Sequence, residues 1–205
     1  MLDLYATPDE IIDEIQSYHP DTDITQLLFN ANIKCRKYKG SIQPYQAAVL
    51  YHLASDYNYG QILEVGTGLG YSAFLIASAA PNAKIITLNP SNEELKWAKS
   101  SLAEFRNIQY VNMTSREWYD YQFYTGNFDF IFIDGNHKDI DFDLIWYNRL
   151  NPNGMIVFHD FSDIDSKSPC LPVYEKLSLF ANENKPDVLV KDTINKFGMI
   201  GFVKK

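Results

Sequence analysis

The 205-residue chain is poor in cysteine, in clustered positive charge and in long apolar runs, and each shortage removes a class of protein. Its two cysteines, Cys35 and Cys170, stand far apart and in no C-x-x-C spacing, which argues against a disulfide framework or a cysteine-built metal site. Lys34, Arg36 and Lys37 surround Cys35, a setting that can lower a thiol pKa, but the residue reads as a buried or inert thiol. The net charge is -8 and the 18 basic residues are scattered, so there is no footprint for phosphate and no nucleic-acid partner is expected. With no basic groove beside them, the aromatics, 15% of the chain, read as core and surface residues rather than base-stacking platforms. No stretch approaches the roughly 18 to 20 apolar residues of a membrane span, and Met1-Leu2-Asp3-Leu4-Tyr5 has neither a basic region nor an apolar run. A soluble cytoplasmic protein without a membrane partner is the expectation.

What is present suits one domain. Hydrophobic residues make up 46% of the chain, enough for a full core, and no Pro/Gly/Ser-rich linker, repeat or low-complexity tract divides it. Residues 1–57 read as a helical N-terminal cap. Thr7-Pro8-Asp9-Glu10 combines an N-cap, a proline at the first helical position and a capping glutamate; a second helix begins near Asp23 and a third at Gln43-Pro44. From residue 58 short apolar strands alternate with helices, the pattern of βαβ units on a parallel sheet. Strands are expected at Gln61–Val65, Lys84–Leu88, Ile108–Asn112, Phe128–Ile133 and Met155–His159. Helices are expected at Tyr71–Ala79, Ser91–Phe105 with Ser91 and Glu94 as a capping box, Arg116–Tyr121, Ile140–Leu150 and Val173–Asn182. The last two strands, Val188–Asp192 and Gly198–Lys204, are close enough to pair as a hairpin.

Two stretches carry chemistry. In Leu63-Glu64-Val65-Gly66-Thr67-Gly68-Leu69-Gly70-Tyr71-Ser72 a buried strand ends beside an acid and breaks into three alternating glycines before a helix. Glycine permits positive φ and close approach of a ligand, and the helix start offers free N–H groups. In the second, Ile133-Asp134-Gly135-Asn136-His137 ends one strand and Val157-Phe158-His159-Asp160-Phe161 ends the next. Ligands of open α/β sheets sit at the carboxyl ends of strands, so Asp134, His137, His159 and Asp160 belong to the same rim as the glycine turn.

Together these blocks resemble the class I S-adenosylmethionine (SAM)-dependent methyltransferases, in particular the small-molecule O-methyltransferase branch that includes catechol O-methyltransferase, over residues 60–205. The resemblance implies a Rossmann-like, doubly wound seven-stranded α/β sheet of order 3-2-1-4-5-7-6 with strand 7 antiparallel. It implies SAM as cofactor, held by Glu64, Gly66, Thr67, Gly68, Gly70, Tyr71 and Ser72 on the methionine side. Asn89 stands where the family has the acid for the ribose hydroxyls, and Met113 and Thr114 fall near the adenine, with Ser115 or Trp118 on the same wall. Asp134 adjoins the cofactor and, with Asp160, matches two metal-binding aspartates of the divalent-metal branch. Phe161 replaces that branch's third ligand with a phenyl group that cannot coordinate, which leaves His159 or His137 to complete a site for magnesium or a transition metal. His137 falls where the catechol enzyme has its lysine base.

The implied reaction moves a methyl group to a hydroxyl of a small molecule, optionally with a divalent metal, Asp134 and His137 being the catalytic candidates. A sulfonium is already a good leaving group, so alignment and removal of a proton from a hydroxyl of pKa near ~10 are what remain. The N-terminal helices are expected to cover the mouth, with Tyr45 and Gln46 near the cofactor and Tyr38 or Tyr5 as lid residues, and Asp163 and Asp165 are candidates to add a metal ligand or solvate their loop. The partners implied are the small-molecule acceptor and, in a homodimer, a second copy of the chain. A nicotinamide dehydrogenase would need G-x-G-x-x-G and an acid after the second strand, and the chain has neither. A DNA amino-methyltransferase would need Asp or Asn before Pro-Pro and an aromatic after the fourth strand, where Asp134-Gly135-Asn136-His137 stands. The surviving alternative is a non-catalytic SAM-binding protein, suggested by Asn89, Met113 and Phe161.

Overall fold

The structure, a computed structural model, describes residues 1–35, 42–121, 126–162, 170–194 and 196–205. Tyr38, Asp163 and Asp165, named above as candidate mouth or loop residues, lie outside them. Among the described residues eight strands form one sheet, β1 (Leu2–Ala6), β2 (Gln61–Val65), β3 (Lys84–Leu88), β4 (Ile108–Val111), β5 (Phe128–Ile133), β6 (Leu150–Phe158), β7 (Val188–Asp192) and β8 (Gly198–Val203). Their order is β1-β7-β8-β6-β5-β2-β3-β4. The expected count of seven is corrected to eight. Beyond the strands read from the sequence, β1 adds itself in parallel to β7, from Leu2↔Val188 to Ala6↔Asp192. It forms because Leu2 and Leu4 turn toward the core while Asp3 and Tyr5 stay exposed, an alternation too short to stand out in the sequence. The segment 1–57 is therefore not wholly helical.

β8 runs antiparallel to both β6 and β7, forming with β7 the hairpin that the short connection requires. The helices are α1 (Pro8–Tyr18), α2 (Ile24–Cys35), α3 (Pro44–Ser55), α4 (Tyr71–Ala79), α5 (Asn92–Ser101), α6 (Ser115–Asp120), α7 (Ile140–Asp143) and α8 (Leu171–Glu183). Thr7 caps α1 as its sequence predicts: its backbone N–H donates to Glu10 Oε2 at 2.8 Å and its hydroxyl receives the Glu10 N–H. The helix expected over Ile140–Leu150 is shorter, tightening from Leu144 to Arg149 into a 3-10 helix. Among the described residues no helix is long and apolar enough to cross a membrane.

The sheet is buried on both faces, which is why its central strands read as continuous apolar runs. Ile62, Ile85, Phe130, Phe132 and Val157 face the layer that contains α1 to α4. Leu63, Ile86, Ile131, Ile133 and Phe158 face Trp118, Trp146, Val173 and Leu177 on the other side. Each such aliphatic side chain contributes about 1.5–3 kcal/mol by leaving water, so the register of β2, β3 and β5 is firmly set. Register pairs Val111 with Leu88, Leu88 with Val65, Val65 with Ile133, and Ile133 with Phe158. The five parallel strands therefore end in one transverse row. Asn112, Asn89, Gly66, Asp134 and His159, the residues that follow, emerge side by side.

Candidate active site

Above that row lies a cavity of about 340 Å³, within the size range of small-molecule sites. One wall is the glycine turn. Gly66 adopts φ +103° and Gly70, the residue that starts α4, adopts +95°. At Gly66 the need for glycine is also steric: a Cβ there would lie 2.1 Å from the Asp134 carbonyl oxygen. The N–H groups of Gly66 and Thr67 both donate to the Leu88 carbonyl, tying the turn to β3. Gly66, Thr67, Gly68, Tyr71 and Ser72, the residues named from the sequence for the cofactor, line the cavity.

Glu64 and Gly70 do not. Glu64 is fully buried beneath the turn, on the same sheet face as its register partner Thr87, whose hydroxyl donates to it, and Thr67 bonds Thr87 in turn. Burial pushes the Glu64 carboxyl up to about 7, against the pull of the Ser72 and Thr87 hydroxyls. Its contact is with the turn, which it braces from below.

Asn89 and Met113 line the opposite wall, with Thr114 and Ser115 beside them. Thr114 also caps α6, receiving the Glu117 N–H at 3.1 Å while Glu117 Oε2 accepts its own N–H at 2.8 Å. Trp118 is packed in the core against Trp146, ring centroids 5.6 Å apart, and forms no part of the cavity. The sequence missed Glu94. Ser91 caps α5 through the Glu94 N–H as expected, but the Glu94 carboxylate does not return to the cap. It accepts the Asn89 side-chain amide at 2.7 Å and lines the cavity. A carboxylate thus stands beside Asn89 after all, supplied one helical turn later. We expect Glu94→Gln to raise the dissociation constant for S-adenosylhomocysteine by roughly 10-fold, the worth of one charge-assisted hydrogen bond, with turnover at saturating SAM little changed. Titration calorimetry checks this, and unchanged affinity would remove Glu94 from the cofactor wall.

The third wall holds the charged cluster. Asp134 and His159 continue β5 and β6, with the Asp134 N–H on Val65 O at 2.8 Å and the His159 N–H on Ile133 O at 3.0 Å. Asp160 follows in the left-handed region, φ +59°, a conformation aspartate tolerates better than most residues. This turns its carboxylate between two imidazoles. His137, on a short 3-10 turn after β5, places Nε2 2.6 Å from Asp160 Oδ2. Nδ1 of His159 lies 3.0 Å from Asp134 Oδ1 and 3.0 Å from Asp160 Oδ2, close but not aligned as a hydrogen bond.

His159 Nε2 lies 3.0 Å from Gln46 Oε1, which also accepts the Gln43 N–H at 2.8 Å. An amide oxygen only accepts, so Nε2 carries the proton and Nδ1 faces the carboxylates. A neutral ring would aim its lone pair at two anions. Burial disfavours a second proton on His159, but Asp134 and Asp160 override it and lift the pKa to about 10. Burial pushes Asp160 up, yet the hydrogen bond from His137 and the neighbouring His159 imidazole prevail and hold it well below the usual carboxylate range. The hydrogen bond to Asp160 outweighs burial at His137 and raises it.

Gln46 is a positioning residue for His159. Tyr45 packs away from the cavity, its hydroxyl 2.7 Å from Asp192 Oδ2 and 3.0 Å from the Phe197 carbonyl. Tyr5 is exposed on β1 at the far sheet edge. Phe161 is buried against Tyr174, centroids 4.9 Å apart. Ligand atoms of Asp134, His159 and Asp160 all lie within 4.8 Å of one another, and so do those of His137, Asp160 and Cys170. The second grouping includes a single cysteine, Cys170, which the sequence spacing alone did not connect to any metal donor.

The glycine turn, the Asn89–Glu94 wall and the charged rim stand together at the carboxyl ends of a mixed, mainly parallel α/β sheet. Residues 63–161 match the family model described as a methyltransferase domain. The O-methyltransferase TomG from Streptomyces achromogenes, involved in tomaymycin synthesis and solved with SAM, shares the fold with a TM-score of 0.67 at 20% identity, over 90% of this chain and 91% of that one. An O-methyltransferase from Bacillus cereus in complex with SAH has the same TM-score, 0.67, at 20% identity, over 91% and 92%. The SAH-bound methyltransferase PaMTH1 of Podospora anserina reaches 0.69 at 16% identity, over 100% and 99%.

Proposed function

We propose that the chain transfers the methyl group of SAM to a hydroxyl oxygen of a small molecule, with His137 as general base. The observation that carries this is His137, held by Asp160 at 2.6 Å on the wall of the cavity whose other side is the glycine turn. The hydroxyl oxygen attacks the methyl carbon, the C–S bond breaks with its electron pair passing to sulfur, and S-adenosylhomocysteine is left. The hydroxyl proton goes to His137. With Nε2–H donated to Asp160, Nδ1 is the nitrogen that receives it, the logic of an imidazole oriented by a carboxylate. Raised basicity brings His137 closer to a phenol-like acceptor, which makes the transfer less uphill.

Asp134, Asp160 and His159 also suit a divalent cation: two carboxylates and one imidazole nitrogen converge, and Gln46 fixes the tautomer that presents Nδ1. Such an ion would lower the pKa of a bound hydroxyl and relieve the crowding of Nδ1 against the two acids. Titration calorimetry should show binding of SAM and S-adenosylhomocysteine, and a product-release assay over hydroxyl-bearing acceptors should show turnover that falls on chelation and recovers with added divalent ion. Turnover indifferent to chelators removes the metal and leaves the base. Binding without turnover across the acceptor panel makes the chain a non-catalytic SAM-binding protein.

A further inference from the structure

One donor beside the charged rim has no part in the proposed transfer: the thiol of Cys170. Metal-binding atoms of His137, Asp160 and Cys170 lie within 4.8 Å of one another. They arrive on three separate elements, His137 on the 3-10 turn after β5, Asp160 just past β6 and Cys170 at the start of α8, which packs against that turn.

Phe161 explains part of the convergence. It packs on Tyr174, which stands one helical turn after Cys170 and whose N–H donates to the Cys170 carbonyl at 3.0 Å. The ring that follows Asp160 is thus clamped to the face of α8 that carries the thiol, while Val173 and Leu177 hold the same helix in the core. Cys170 is buried, whereas His137 and Asp160 line the cavity. An ion can reach two donors from the cavity, and the buried sulfur completes the set.

Donor chemistry selects the ion. A thiolate is a soft ligand with little to offer magnesium or calcium, but sulfur, imidazole nitrogen and carboxylate oxygen together suit zinc, with water in the remaining position. The set formed by Asp134, His159 and Asp160 has no sulfur. Asp160 belongs to both, so ions at the two sets compete for it.

We propose that His137, Asp160 and Cys170 form an inhibitory site for a thiophilic divalent cation of the zinc class, separate from the Asp134–His159–Asp160 set. On binding, the thiol proton passes to solvent, and sulfur, a ring nitrogen and a carboxylate oxygen each give an electron pair to the ion. A metal-bound neutral imidazole carries its only proton on the other nitrogen and has no lone pair left. His137 then cannot accept a proton. The inhibition rests on the reading of His137 as base; the binding does not.

Co²⁺ serves as an optical probe. Added alone to the full chain, without SAM or acceptor, it should give a near-ultraviolet thiolate-to-cobalt charge-transfer band that Zn²⁺ displaces and Mg²⁺ does not. Cys170→Ala and the closer isostere Cys170→Ser should abolish the band and weaken Zn²⁺ binding by roughly 100-fold or more, at least the cost of losing an outer-shell partner. His137→Ala should weaken it by a similar factor, and Asp134→Asn should leave the band in place, with melting curves confirming that each variant is folded. No band in wild type, a band that survives in either Cys170 variant, or one that a folded Asp134→Asn abolishes would overturn the assignment. In turnover, Zn²⁺ should inhibit wild type at concentrations roughly 100-fold below those that inhibit the Cys170 variants, each measured against its own zinc-free rate. A band without inhibition keeps the cation site and removes His137 as the base.

Discussion

If His137 is the general base, replacing it with alanine is expected to lower turnover by roughly 10²- to 10⁴-fold, the usual worth of such a group, while the affinity for S-adenosylhomocysteine should stay close to that of wild type. The asymmetry follows from placement. His137 shares the cavity wall with Asp160, and the contacts that hold the turn and the Asn89–Glu94 pair do not pass through it. Single-turnover rates and calorimetry on the same preparation separate the two quantities. Parallel losses of rate and affinity would show that His137 holds the rim together and does no proton transfer.

The second large effect is on folding. Gly66→Ala puts a methyl group 2.1 Å from the Asp134 carbonyl oxygen at a residue whose φ is +103°. Both objections are backbone objections, and neither can be met by rotating a side chain. Strain at positive φ and overpacking against main chain together cost about 3 kcal/mol or more, which for a domain of this size corresponds to a fall of roughly 10 °C in melting temperature. Cofactor binding should disappear with it, because the same carbonyl belongs to Asp134. Gly70→Ala is the control. It shares the positive φ, +95°, but its Cβ would meet Leu102 Cδ1 at 3.0 Å, which can rotate away, and Ala98 Cβ at 3.2 Å, milder contacts than the 2.1 Å approach at Gly66, so its penalty should be smaller. A Gly66→Ala protein that melted with wild type would mean the turn is looser than its geometry implies.

The sequence revealed most where the physics is local. β2, β3 and β5 end where their apolar runs end, because strands covered on both faces are mostly apolar until they leave the sheet. The caps of α1 and α5 were visible for the same reason, a short polar side chain answering an N–H three residues on. What stayed hidden depends on distant partners. β1 is a strand only because β7 lies beside it, 186 positions away at Leu2↔Val188. Glu94 looked like a capping glutamate, and only the fold shows Asn89 competing for its carboxylate. Cys170 gave no signal through its spacing, since the residues it meets, His137 and Asp160, reach it only when α8 packs against the turn after β5. Glu64 was placed in the right turn but on the wrong side of it, because alternation along β2 decides the face and the third dimension decides what that face meets.

The level ending of five strands separates two kinds of change in this protein. Positions within the strands are quantised: each residue advances the chain by about 3.3 Å and reverses the side chain's direction, so whatever follows can be displaced only in whole, disruptive steps. Positions beyond the row have no such constraint. Asn89 and Phe161 sit there, held by side-chain neighbours, Glu94 and Tyr174, and not by the sheet ladder. The scaffold behaves as a fixed ruler, and the reagents mounted along its edge are interchangeable.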